Sequence, residues 1–166
     1  MRRRAFLAAM FSIVMALPAA AGELEDRKYS WGQFLICISR VETPNGENVG
    51  DDGAALGPFQ IHEPFFDDAA EWARRKYPQN PFGFVYIDVG DELQGWWVSA
   101  IVMEYWFDRY AKPEMDRMKI GQATLRDFEV MARRFNGGQA GENTTATLNY
   151  WLKVRWDLQQ LVNRET

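Results

Sequence analysis

Ser30-Trp31-Gly32-Gln33-Phe34-Leu35-Ile36-Cys37-Ile38-Ser39-Arg40-Val41-Glu42 opens on a polar cap and closes on a lone carboxyl group. Ser30 followed by Gln33 has the pattern of a capping box, in which each side chain satisfies a backbone N–H at the start of a helix. Trp31, Phe34, Leu35, Ile38 and Val41 then recur at helical spacing, which predicts a helix to Val41 or Glu42. Pro44 and Asn45-Gly46 stop it. Glu42 therefore stands where an apolar helix gives way to a polar, glycine-rich loop. A carboxyl group half-shielded by apolar neighbours keeps its proton nearer to neutral pH, as general acid catalysis on a sugar requires.

Outward from this helix, residues 43–56 are rich in Gly, Asn and Asp and read as a loop or small irregular hairpin, the one place suited to a β element. Pro64 fits the first turn of a helix through Phe65, Ala69, Trp72 and Ala73 that ends before Pro78. The prolines and glycines of 78–90 predict a loop. Asp91 to Tyr110 is apolar all round and reads as a central buried helix closed by Pro113. Thr124 to Asp127 repeats the capping-box pattern and opens a helix through Phe128, Met131 and Phe135, ended by Gly137-Gly138. A last helix starts near Thr147. The expected fold class is α+β and predominantly α-helical, with about five helices and a small irregular or β lobe.

Residues 1–21 read as a signal peptide: Arg2, Arg3 and Arg4, an apolar run to Leu17, then small residues ending at Ala21. The expected product is secreted or periplasmic, a single domain over 22–166 with no stable membrane insertion. Without the three arginines the formal charge moves from −4 to about −7, which disfavours nucleic acid as a partner. Cys37 is the sole cysteine, so no internal disulfide forms, and its apolar surroundings predict a buried, inert thiol. With one histidine and one cysteine, nitrogen and sulfur ligands are scarce, so no metal and no cofactor is expected.

Three polar islands interrupt the helices: Glu42 with its loop, Gly57-Pro58-Phe59-Gln60-Ile61, and Asn136-Gly137-Gly138. With Ile38 to Glu42, Asp51 to Phe66, and Ala132 to Gly138 through Ala146 to Trp151, they make a pattern that resembles the lysozyme-like superfamily, most closely the invertebrate-type lysozymes. The glutamate, Gly-x-x-Gln and aromatic-Asn-Gly elements also resemble lytic transglycosylases, less specifically. The resemblance implies a lysozyme-like fold and hydrolysis of the β-1,4 bond between N-acetylmuramic acid and N-acetylglucosamine in peptidoglycan strands. It makes Glu42 the proton donor and maps the second carboxylate onto Asp51, with Asp52 one residue away. The alternatives are a lytic transglycosylase using Glu42 alone, and a peptidoglycan-binding protein without turnover. Unlike this chain, the family is rich in disulfides.

Sugar binding needs flat apolar faces and amide-type hydrogen bonds. Gln60, Asn136 and Tyr150 are the candidate binding residues, with Phe59 on the cleft floor; for Phe59 and Tyr150 a core position fits the pattern equally well. Trp96, Trp97 and Trp106 on the central helix read as core. Glu104, among aromatics on the same helix, reads as an outward-facing charge or an arginine's partner, and is the one rival to Glu42.

Overall fold

In the computed structural model, residues 24–79 and 82–165 are described; the expected leader over 1–21 lies outside them. Helix α1 (Trp31–Glu42) opens with the capping box that Ser30 and Gln33 predict. Strands β1 (Val49–Gly50), β2 (Ala55–Leu56) and β3 (Ile61–His62) follow, then α2 (Glu63–Lys76), α3 (Gly95–Tyr110), α4 (Lys112–Lys119), α5 (Leu125–Gly137) and α6 (Leu148–Glu165). The strands form one antiparallel sheet in the order β1-β2-β3, with Val49 opposite Leu56 and Leu56 opposite Ile61. The architecture is α+β, with six helices and a small sheet among the described residues. No helix among the described residues is long and apolar enough to cross a membrane.

The core is aromatic. Phe34 of α1 is fully buried, with Trp31 stacked on it at 5.4 Å and Phe107 of α3 and Phe128 of α5 at 5.5 and 5.1 Å. Burying such rings stabilises each by about 1.5–3 kcal/mol relative to exposure. Cys37 is free and fully buried beside them, and burial pushes its thiol far up, so it stays protonated and inert. Helix α2 packs along α3, and α1 along α6.

Three expectations about α3 require correction. The helix starts at Gly95 rather than Asp91, because the Asp91 carboxylate accepts the amides of Leu93 and Gln94, both at 2.9 Å, and holds a turn there first. Pro113 does not simply close the apolar stretch. The chain breaks at Ala111, and Pro113 lies in the first turn of α4, where its missing N–H leaves no bond unmade. Trp106 is core, but Trp96 and Trp97 are 45% and 56% exposed, since the first turn of α3 packs through Gly95 and Val98 and leaves the two indoles on its open face. Glu104 faces outward and pairs with Lys119 at 2.5 Å.

Candidate active site

One cleft of about 360 Å³ is lined by Glu42, Gly50, Asp51, Gln60, Ile61, His62, Phe65, Phe135 and Asn136. It lies where the end of α1, the three-stranded lobe, the start of α2 and the end of α5 meet. The three polar islands, separated by 18 and then 76 residues in sequence, share it.

Glu42 is the last residue of α1. The following Thr43 ties that end down: its amide donates to Ser39 O at 2.8 Å, and its hydroxyl lies 2.9 Å from Ser39 O and 3.2 Å from Pro58 O. The link to Pro58 sets the acid against the 57–60 turn. Burial raises the Glu42 carboxyl above the usual glutamate range. The Tyr150 hydroxyl and the charges of His62 and Lys153 pull it partly back, while Asp51 adds to the rise.

The 57–60 turn depends on Gly57, which has a φ of +73° and whose missing Cβ would stand 2.3 Å from Val89 O. The turn presents Gln60 with a φ of +47°, unusual for a residue with a side chain. The Gln60 amide nitrogen donates to Gly57 O at 2.9 Å, and the head of the side chain fills the space a Cβ on Gly50 would occupy, 1.7 Å from its oxygen. Gly50 is thus the seat of Gln60.

Asp51 and Asp52 both have positive φ, 47° and 54°, at the tip of the lobe. Only Asp51 of the two lines the cleft. Its carboxylate is 71% exposed, and His62 Nε2 lies 3.2 Å from its Oδ2. Asn136 reaches the cleft from the last turn of α5. That end is anchored by Arg133, a buried residue whose guanidinium donates to Thr147 Oγ1 at 3.0 Å, Thr144 O at 2.7 Å and Glu129 at 2.7 Å. The same contacts fix the start of α6, and with it Tyr150.

Two expected sugar-binding residues have other positions. Phe59 is fully buried under the turn, 4.8 Å from the ring of Trp96, and presents no face to a ligand. The pattern that marked it, an apolar residue before Gln60, belongs to the floor's support and not to its surface. Tyr150 does not line the cleft. Its hydroxyl is buried without a hydrogen bond of ordinary geometry, yet it couples to the Glu42 carboxyl, and burial followed by that charge raises the phenol well above its ordinary value. It backs the acid from behind. The cleft walls that sequence reasoning missed are His62, Phe65 and Phe135. Phe65 stacks on Trp106 at 4.7 Å and meets Phe135 edge-on at 5.5 Å; the available signal was their position three residues after His62 and directly before Asn136. Among the described residues, no group of three His, Cys, Asp or Glu side chains is placed to hold a metal ion.

The pairing of a half-buried acid with an exposed carboxylate in one cleft permits proton delivery from one and stabilisation of positive charge by the other. No protein-family model matches the sequence, and no curated protein does. Solved structures do match. The structure of Aeromonas hydrophila PliI in complex with Meretrix lusoria lysozyme gives a TM-score of 0.50 at 24% identity, and the Tapes japonica lysozyme gives 0.50 at 22%. The inhibitor-bound lysozyme from Meretrix lusoria gives 0.50 at 24%. Each match covers 74% of this chain and 85% of the other. The chain has the lysozyme-like fold.

Proposed function

We propose that this protein is an exported muramidase that hydrolyses the β-1,4 bond between N-acetylmuramic acid and N-acetylglucosamine in peptidoglycan. The observation that carries this reading is the shared cleft, where Glu42, raised by burial, stands with Asp51, Gln60 and Asn136. The lysozyme-like fold and the leader-like residues 1–21 support it.

In this reading Glu42 donates its proton to the glycosidic oxygen as the C–O bond breaks. Asp51, ionised in its wet loop, stabilises the oxocarbenium-like transition state, either by bonding to the sugar carbon or by orienting water. Water then adds its oxygen to that carbon, and the Glu42 carboxylate takes up the proton released, restoring the acid. Gln60 and Asn136 offer amide hydrogen bonds to N-acetyl and hydroxyl groups, and Phe65 with Phe135 offers the apolar wall.

A lytic transglycosylase is the second reading. It is favoured by the exposure of Asp51, since that chemistry uses Glu42 alone as acid and then base, with the muramic 6-hydroxyl replacing water. Mass spectrometry of the fragments released from purified peptidoglycan separates the two. Reducing ends, lost on Asp51→Asn but kept on Asp52→Asn, are expected. Anhydro-muropeptides with a silent Asp51→Asn would establish transglycosylation, and binding without release of fragments would leave a non-catalytic glycan binder.

A further inference from the structure

His62 shares the cleft with both carboxylates. Its Nε2 lies 3.2 Å from Asp51 Oδ2, and it is the one side chain among the described residues that pairs with Asp51. Its charge also acts on Glu42, in the direction opposite to that of Asp51.

The groups around it come from five places in the fold. Glu42 ends α1, Asp51 opens the turn after β1, and Glu63 follows His62 at the start of α2. From α6, Tyr150 and Lys153 act on Glu42, and α5 contributes the uncharged Phe135 and Asn136. His62 is itself the N-cap residue of α2, where the helix end carries partial positive charge. A cation here is therefore opposed by the helix and supported by the carboxylates.

We propose that His62 is a positioning residue of this cleft, gripping Asp51 through Nε2 and coupling the protonation of the two carboxylates. The proposal rests on the reading of Glu42 and Asp51 as the working pair. Asp51 sits on an exposed loop tip, and a carboxylate without a partner there would sample several rotamers; the contact of its Oδ2 with His62 selects one and leaves Oδ1 uncommitted. The coupling follows from charge. An imidazole ordinarily gains its proton near pH 6.5. Charged, it offsets Asp51 and draws the proton of Glu42 away. Neutral, it leaves Asp51 unopposed, and that negative charge helps Glu42 to keep its proton as the pH rises. Compared with a permanent cation at this position, the histidine thus extends the alkaline side of the range over which Glu42 can act as an acid.

His62→Lys keeps a cation at all working pH values, and His62→Gln never carries one. Carboxyl-carbon NMR titration of Glu42 in the wild type and both variants reads the coupling without any turnover. Glu42 is expected to release its proton at lower pH in H62K than in H62Q, with about a threefold or larger difference in proton affinity and the wild type between them. The alkaline limb of fragment release should move in the same order. H62Q should also lose about threefold or more in kcat with KM little changed. Coincident Glu42 titrations in the two variants would overturn the proposal, because a charge at position 62 would then not reach Glu42. A wild-type protein that releases no fragments, but whose Glu42 titration still separates H62K from H62Q, would instead remove the enzyme reading and keep the coupling. His62→Asn supplies a second neutral variant should H62Q fail to fold.

Discussion

The helical body and the three-stranded lobe are held by different means. In the body, α1 and α5 each begin with a reciprocal capping box, and Phe34, Phe107 and Phe128 meet in a dry aromatic centre. In the lobe, each strand is two residues long, and the three non-glycine residues with positive φ among the described residues, Asp51, Asp52 and Gln60, all lie in or beside it. Such conformations cost on the order of 1–3 kcal/mol each for side chains that do not favour them, less for aspartate. The body can carry that cost because its own elements agree with one another. What the lobe gains is direction: Asp51 and Gln60 are aimed into a cleft that a relaxed hairpin would leave unfilled. Glu42 lies on the seam, at the last residue of the body's first helix, where apolar neighbours reach it from one side and the cleft from the other.

The comparison can be broken by substitutions that should act on only one side of it. Phe34→Ala empties the centre of the body and should destabilise the protein by about 3–5 kcal/mol in chemical denaturation. An effect below about 1 kcal/mol would mean that the body is not the source of stability. Arg133→Ala joins the two sides. It removes a buried guanidinium and the bonds it donates to Thr144 O and Thr147 Oγ1, so a loss of about 3 kcal/mol is expected, together with weaker glycan binding through Asn136. Gly50→Ala tests the lobe alone. Its Cβ would displace the flexible head of Gln60, so stability should hold to within about 0.5 kcal/mol while kcat/KM falls about tenfold.

The smallest effect belongs to the seam. Burial raises Glu42, so the folded protein favours its protonated form. That contribution to stability is complete below the unfolded value of 4.5 and is lost as the pH climbs through the folded value. Glu42→Gln, neutral throughout, should therefore melt a few degrees higher than the wild type at pH 8, with the difference shrinking toward pH 4. An equal gain at both pH values would show that the acid is not strained by burial.

The body was legible in the sequence because its signals are local. Ser30 with Gln33 and Thr124 with Asp127 mark helix starts within a few residues, and apolar spacing marks the buried faces. Where a local signal has two structural uses, the reading failed. Pro113 was read as a stop and is a start, because a proline fits the residue after one helix and the first turn of the next equally well. Composition places Trp96 and Trp97 in the core, but that turn packs through Gly95 and Val98, and which face of an all-round apolar helix meets the body is set by its neighbours. The cleft was legible only in its polar members. Phe59 and Tyr150 adjoin the polar islands without lining the cleft, while His62, Phe65 and Phe135 line it, the two phenylalanines meeting edge-on between α2 and α5. Side-chain direction at the end of a helix or in a positive-φ turn is set by tertiary contacts such as Thr43 to Pro58.

The measurement that bears most directly on this account is the release of soluble fragments from purified peptidoglycan by the wild type and by Glu42→Gln, compared side by side near neutral pH on folded protein. The account predicts reducing-end muropeptides from the wild type and a loss of at least about a thousandfold in the variant, because the amide has no proton to give. Fragment release by Glu42→Gln at the wild-type rate would contradict it.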